Sequence, residues 1–275
     1  MANAPKPTTA KKESSGSNIF ASLSIVFCIL IGFLLWEFVM GNGSNFEGGD
    51  PNNHPLPGNY FGMVYKGGYV VPVLMGLFLM VVVFSFERFF VISKATGKGS
   101  VDSFVKRIQV SLGNSNIDGA IAECDKQQGS VANVIKSGLQ KYKAMEVETN
   151  MDTEQKCLAI QKEIEEATAL EMPMLEQNLT VIATLVSIGT LIGLLGTVTG
   201  MIKAFAALSS AGTPDQAQLA NGISEALINT ATGIGTSALA IIMYNVFTSK
   251  IDKLTYSIDE AGFSIVQTYA STHKQ

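Results

Sequence analysis

The 275-residue sequence has little charge, few cysteines and almost no histidine. Charged residues make up only 15% of it, and the mean hydropathy is +0.28. Three cysteines without a C-x-x-C spacing do not suggest a disulfide framework, and two isolated histidines, His54 and His273, are too few for a metal site. The net charge of -4 argues against a nucleic-acid partner. Neither G-x-x-x-x-G-K-[ST] nor H-E-x-x-H occurs, so we expect no enzyme activity, no metal and no cofactor.

Long apolar runs are abundant instead. Four nearly uncharged segments each exceed the roughly 20 residues that cross a bilayer, and roughly half of the charge falls in residues 93–177. We therefore predict an all-α integral membrane protein with three long core helices that extend into a cytoplasmic helical domain, plus one extra N-terminal transmembrane helix. The predicted order is an N-terminal tail (1–18), the extra helix (19–40), a periplasmic loop (41–68), a transmembrane helix (69–92), the cytoplasmic domain (93–177), a transmembrane helix (178–208), a periplasmic loop (209–218), a transmembrane helix (219–247) and a C-terminal tail (248–275).

Basic residues near the apolar runs predict the orientation. By the positive-inside rule both termini are cytoplasmic. The first run could instead be a secretory signal, but it is longer than a signal core and no A-x-A-like site follows, which favours a retained helix. Gly, Asn and Pro in residues 41–68 indicate a flexible connector. Pro173 is expected to interrupt or kink an amphipathic helix that leads into the third run. The basic residues that set the orientation are Lys6, Lys11, Lys12, Arg88, Lys94, Lys98, Lys250 and Lys253.

Small residues in the third run follow a helical spacing. Gly189, Gly193, Gly196 and Gly200 are four, three and four residues apart, which places them along one side of a helix. In lipid such stripes let helix backbones approach closely, so the stripe predicts a packing seam, to which Gly222 and Gly233 of the fourth run contribute. A seam does not explain the accompanying threonines.

The fourth run is amphipathic at membrane depth. Isoleucine and leucine occupy one half of its circumference, and the polar half must face other helices or a hydrated cavity. Glu225 is the only carboxylate in the third and fourth runs, and two roles stay open for it: a functional acid or a glutamate hydrogen-bonded at a subunit contact. Lys203 is expected to snorkel. The polar half includes Glu225, Asn229, Thr230, Thr232 and Thr236.

Several copies in a ring would turn such polar faces toward a shared passage. The passage would be lined by hydroxyl groups and small residues, which hydrate and guide ions. It would contain no mid-membrane group able to bind and release a proton in each cycle. Protons therefore either hop through water or use an acid that a second chain supplies.

Two stretches resemble a known family. "LIGLLGTVTGMIKAF" and "ANGISEALINTATGIGTSALAIIMYNVF" are similar to the MotA/TolQ/ExbB proton channel family, most of all to its ExbB branch, and the resemblance extends from about Gly68 to the C-terminus. It implies a homopentameric ring in the bacterial inner membrane around an ExbD-like dimer whose aspartate carries protons. Family threonines that face this aspartate match Thr197 and Thr230, and the family glutamate matches Glu225. Thr190 stands where many relatives have proline.

The resemblance also suggests a role for the inner end of the first core helix. Glu87 and Arg88 match the charged inner end of that helix in the family, or form an ordinary interfacial ion pair. The N-terminal helix has no counterpart in the three-helix core. The full set of residues expected along the proton pathway is Thr190, Thr197, Glu225, Asn229, Thr230, Thr232 and Thr236.

The expected function is that of a proton-channel or stator subunit. The proton motive force would then energise TonB-dependent outer-membrane transport through a TonB-like protein. A TolQ-like subunit for envelope maintenance, a motility motor subunit and a non-conducting membrane scaffold stay open as alternatives.

Overall fold

The computed structural model describes residues 15–209 and 216–273, with side chains from Ser22 onward. Within these residues the chain is almost entirely helical and contains no β-strand. Residues 1–14 of the predicted N-terminal tail, most of the predicted loop 209–218 and the last two residues lie outside the described residues. The helices are α1 (Ser15–Leu34), a π-helical turn (Leu35–Met40), α2 (Tyr60–Tyr65), α3 (Val70–Thr96), α4 (Val101–Gly113), α5 (Ile117–Gln127), α6 (Gly129–Val147), α7 (Thr153–Glu176), α8 (Leu179–Ser209) and α9 (Gln216–Thr272).

Four stretches of the described chain are long and apolar enough to cross a membrane. They are Ser22–Met40, Val70–Gly113, Thr153–Ser209 and Gln216–Thr272. Each overlaps one of the four predicted runs, because a long apolar run in lipid can satisfy its backbone groups within itself only as a helix. The predicted all-α membrane class is confirmed.

The helix that contains the fourth run is much longer than its apolar part. Residues 248–275 were expected as a tail, but α9 continues to Thr272. Beyond Phe247 the apolar residues recur at helical spacing, and Ile251, Leu254, Ile258 and Ile265 are buried. After Phe247 charged residues replace apolar ones only on the exposed face of the helix. Its buried face stays largely apolar, so the helix continues beyond the hydrophobic run.

The break before α8 lies later than predicted. We expected an interruption or a kink at Pro173; α7 is not interrupted there but passes through Pro173 and ends at Glu176. Asn178 adopts φ +56°, a left-handed conformation that asparagine tolerates better than most residues. The backbone N–H of Gln177 still donates to the Pro173 carbonyl at 3.0 Å, so the proline closes the last turn of the helix.

The loop between α1 and α3 is folded, not an extended flexible connector as its composition suggested. Asn45 is the centre of its hydrogen bonds: its Nδ2 donates to the carbonyls of Val39 and Met40, and its Oδ1 accepts from Asn59 Nδ2. Phe46 and Pro55 form an isolated β-bridge. Asn59 also caps α2 by accepting from the Gly62 N–H at 3.0 Å. Side-chain amides thus join α2 to the irregular parts of this loop.

The chain forms two compact units. One combines the chain up to Met80 with Gly189–Ile234, and the other combines Val81–Ile188 with Gly235–Gln275. The second unit contains the small helices α4 to α7, whose apolar faces supply a buried core that includes Phe104, Ile108 and Leu139.

Candidate functional site

Glycines hold α8 and α9 at very short distance. A Cβ atom added to Gly233 would stand 2.6 Å from the Gly189 carbonyl oxygen and 2.8 Å from the Gly193 Cα. A Cβ atom added to Gly200 would stand 2.8 Å from the Gly222 carbonyl oxygen, and one added to Gly222 would meet the Gly200 carbonyl oxygen at the same distance. Only residues without a side chain permit this backbone contact.

Asn229 occupies the space beside Gly196 in the same helix contact. Its side chain packs where a Gly196 Cβ would otherwise lie, and the residue is fully buried. Its Nδ2 donates to the Gly67 carbonyl oxygen at 3.0 Å. Its Oδ1 is buried and has no hydrogen-bond partner among the described residues. Asn229 therefore ties α9 to the turn that precedes α3.

Glu225 lies one turn before Asn229 and is also buried. Lys203 of α8 donates from Nζ to Glu225 Oε1 at 2.6 Å, so the lysine expected only to snorkel forms an ion pair. Gly68, at φ +76°, lies directly against the carboxylate, because an added Cβ would stand 2.5 Å from Oε1. Lys203, Glu225 and the neighbouring Asn221 help to line a cavity of about 410 Å³.

The threonines divide into two groups. Thr190, Thr197, Thr230 and Thr232 are partly exposed on the surface of the single chain, whereas Thr236 is buried. Thr197 donates to the Leu194 carbonyl at 2.5 Å, Thr230 to that of Ala226 at 3.0 Å and Thr232 to that of Ile228 at 2.8 Å. The Thr197 and Thr230 hydroxyl groups use their hydrogen atom within their own helix, and their oxygens can still accept from water or another chain.

Glu87 and Arg88 belong to α3, and Arg88 contacts the C-terminal end of α7. Arg88 is 1% exposed, forms an ion pair with Glu87, and donates from Nη1 to the carbonyls of Met174 and Leu175 at 3.1 and 3.2 Å. Asn178 Nδ2 donates to Glu87 Oε2 at 3.3 Å. The last carbonyls of a helix have no partner inside it, so a guanidinium there satisfies them and complements the helix dipole.

Sequence reasoning missed Gly67 and Gly68 as neighbours of the polar face. Two adjacent glycines indicate a turn, but only the tertiary structure places that turn beside Glu225 and Asn229. Lys203 had a detectable signal, because it is the single charge in the third apolar run. Among residues 15–209 and 216–273, no group of three or more His, Cys, Asp or Glu side chains could hold a metal ion.

Part of the chain matches a known protein family. Residues 126–260 match the MotA/TolQ/ExbB proton channel family. The biopolymer transport protein ExbB-like 3 of Synechocystis sp. is 32% identical over 114 residues, which cover 41% of this chain and 54% of that protein. The Tol-Pal system protein TolQ of Pseudomonas aeruginosa is 26% identical over 157 residues, covering 57% of this chain and 68% of TolQ.

A third relative is similar over a shorter region. The biopolymer transport protein ExbB of Salmonella typhimurium is 31% identical over 85 residues, covering 31% of this chain and 35% of that protein. The chain thus spans about half the length of the Synechocystis relative and about a third of the Salmonella one. The family match includes α8 and the membrane part of α9 but neither Gly67–Gly68 nor Glu87–Arg88. The chain therefore carries a domain of the MotA/TolQ/ExbB proton channel family within an all-α membrane protein.

Proposed function

We propose that the protein is the channel-forming subunit of a proton-driven stator in the bacterial inner membrane, with both termini in the cytoplasm. The observation that carries the proposal is the set of partly exposed threonines on α8 and α9, two helices that the glycine contact holds together. Against lipid apolar residues would serve without polar atoms, so these hydroxyl groups are proposed to face water or another chain.

The partly exposed and the buried polar residues have different proposed roles. Thr190, Thr197, Thr230 and Thr232 line a passage shared by several copies in a ring, with a pentamer implied by the family. Glu225, Asn229 and Thr236 form the polar layer behind these hydroxyls and complete the proton path. The glycine seam sets the distance between the two helices that present both layers.

A second chain supplies the proton carrier in this proposal. Glu225 is the only carboxylate within the third and fourth apolar runs, and it is already paired with Lys203. A fixed ion pair is a poor group for repeated proton binding and release. We therefore propose an ExbD-like dimer, with a membrane aspartate, inside the ring.

The motor is proposed to act through a TonB-like protein on outer-membrane transport. The relatives include proteins named ExbB and TolQ, so a TolQ-like role in the cell envelope is the second candidate. A motility motor and a non-conducting scaffold are the remaining ones. Co-purification from native membranes separates the first two: a TonB-like chain supports the first and a Tol-like chain the second.

Removing both central hydroxyls tests the channel assignment. Thr197→Val with Thr230→Val keeps the side-chain shape but removes two acceptors, each worth about 1 kcal/mol to a hydrogen-bonded water. We expect energised uptake to fall by about tenfold or more, since 1.4 kcal/mol corresponds to tenfold in rate. Thr184→Val is the matched control, because its hydroxyl donates to the Thr180 carbonyl on α8 at 2.7 Å and it is not a proposed lining residue.

Assembly is measured in parallel by the mass of the purified complex. Uptake at the wild-type rate in a normally assembled double variant would show that these hydroxyls do not line the proton path. If Glu225→Gln also left proton-dependent activity intact, the scaffold would be the better description.

A further inference from the structure

The turn at Gly67–Gly68 contacts two buried polar residues of α9, Glu225 and Asn229. The Gly67 carbonyl oxygen accepts from Asn229 Nδ2 at 3.0 Å. The Gly68 Cα lies so close to Glu225 that an added Cβ would stand 2.5 Å from Oε1. The same Oε1 atom accepts from Lys203 Nζ at 2.6 Å. The backbone of this turn and one lysine therefore both lie against the carboxylate, which also borders the cavity beside Lys203 and Asn221.

The turn is itself held by Trp36. The Trp36 ring stacks on Tyr65 with centroids 4.6 Å apart, and its indole N–H donates to the Tyr65 carbonyl at 3.3 Å. Tyr65 ends α2, and the backbone N–H of Gly68 donates to that same Tyr65 carbonyl oxygen at 3.2 Å. Trp36 is buried in the π-helical turn that follows α1, four residues after the buried Gly32. A single carbonyl thus joins Trp36 to the Gly67–Gly68 turn.

The rest of the loop fixes Trp36 relative to α2. A Cβ on Gly41 would stand 2.6 Å from the Tyr65 ring, so the chain leaves the π-helical turn in direct contact with that ring. Asn45 binds the carbonyls of Val39 and Met40 at 2.9 and 3.0 Å and accepts from Asn59. Residues 36–68, which we name the loop bracket, therefore form one connected set of contacts.

The bracket is anchored through α1 as well. A Cβ on Gly32 would stand 2.5 Å from the Pro72 carbonyl oxygen and 2.8 Å from the Gly76 backbone nitrogen. A Cβ on Gly76 would stand 2.9 Å from the Ile29 Cα. This close crossing places α1 on the first turns of α3, immediately after the Gly67–Gly68 turn. The extra helix and the start of α3 hold the bracket from both ends.

We infer that the N-terminal helix and the loop bracket position Glu225 and Asn229, with Trp36 and Gly68 as the positioning residues. A connector or a simple lipid anchor requires neither the burial of Trp36 nor contact with the polar residues of α9. The inference deepens the proposed function, because Glu225 and Asn229 belong to the proposed proton path.

The test measures how accessible the Glu225 carboxylate is in the full-length protein. The purified protein in detergent is treated with N,N′-dicyclohexylcarbodiimide, an apolar reagent for carboxyl groups, and the modified fraction of Glu225 is determined by mass spectrometry. Glu37, which is exposed, is the internal standard. Labelling requires no proton flow, so its outcome is separate from that of the uptake experiment.

Trp36→Ala is expected to raise the labelling of Glu225 several-fold relative to Glu37. Trp36→Phe retains an aromatic ring for stacking and is expected to restore most of the protection. Tyr60→Ala is the matched control, because Tyr60 is an aromatic residue of the same loop but is 77% exposed. Lys203→Met serves as the positive control, since it removes the ion pair. Equal labelling in Trp36→Ala, Tyr60→Ala and the wild type, with an increase in Lys203→Met, would overturn the inference.

A second variant acts on the turn directly if Trp36→Ala does not fold. Gly68→Ala places a methyl group against the Glu225 carboxylate and is expected to lower the unfolding midpoint. The loss should be smaller in a Glu225→Asp background, because the shorter side chain withdraws from the methyl group. The strain of alanine at φ +76° is common to both backgrounds and cancels in this comparison. Equal losses in the two backgrounds would contradict the contact on which the inference depends.

Discussion

Replacing Gly233 by alanine tests the close contact between α8 and α9. The added Cβ would stand 2.6 Å from the Gly189 carbonyl oxygen, about 1 Å less than an ordinary van der Waals separation. Both closest atoms belong to the backbone, so no side-chain rotation can relieve the overlap and the helices must move apart. Overpacking of this kind costs about 1–3 kcal/mol. The helix propensity of alanine offsets about 0.5–1 kcal/mol of this cost.

Gly235→Ala isolates the propensity term. Gly235 is two residues further along α9, and nothing lies within 4 Å of the Cβ that alanine would add. We expect Gly235→Ala to be neutral or slightly stabilising, and Gly233→Ala to be less stable than it by about 2 kcal/mol. The assay is unfolding in mixed micelles by sodium dodecyl sulfate, followed by circular dichroism. If both variants shift the midpoint in the same direction by the same amount, the glycine seam does not determine the helix spacing.

Two further predictions concern the compact unit that contains Val81–Ile188. Arg88→Leu should destabilise the protein by about 3–5 kcal/mol, because it leaves Glu87 and two helix carbonyls without their buried partner. Arg107→Leu, at an exposed ion pair, should cost less than about 1 kcal/mol. Similar shifts of the melting temperature of the two variants in detergent would contradict the capping role of Arg88. Burial raises the pKa of Cys124 to about 12, so its reactive thiolate is scarce at pH 8 and grows only as the pH approaches that value. Cys157 is less buried, so maleimide should modify it first, and mass spectrometry showing faster labelling of Cys124 in the folded protein would refute this order.

The membrane helices could be predicted because lipid leaves the chain few choices. A nearly uncharged run of twenty residues must satisfy its own backbone, so most of α3 and α8 could be identified from hydropathy alone. The end of α9 could not be found in this way. Hydropathy falls after Phe247 because the surroundings of the helix change, while buried residues such as Ile258 keep the helical period.

The fold of the loop depends on contacts that are distant in sequence. Asn45 binds Asn59, which is fourteen residues away. Its other partners are backbone carbonyls, and because every residue has one, the sequence does not show which of them is the acceptor. Composition indicated turns correctly but could not distinguish a flexible connector from a hydrogen-bonded one. The helix breaks at Asn178 and not at Pro173 for a similar reason. Arg88, which is distant in sequence, donates hydrogen bonds to the carbonyls at the end of α7 and so allows the helix to end there.

The candidate site was predictable as a polar face but not in its internal division. Helical periodicity places Glu225, Asn229, Thr230 and Thr236 on one half of α9 without indicating which of them meet another part of the same chain. Lys203 and the turn before α3 decide this, since they engage the first two residues and leave Thr230 partly exposed. The helical period alone does not show which polar residues contact another part of the chain.

The stacking of the single tryptophan on Tyr65 gives the protein an intrinsic optical probe. The sequence contains no other indole, so emission excited at the red edge of protein absorbance arises from one known position. A partner or ligand that disturbs the chain around Tyr65 will change the polarity or quenching of that ring. Titrations can therefore be followed by fluorescence on unlabelled wild-type protein, without introducing a dye or a new cysteine.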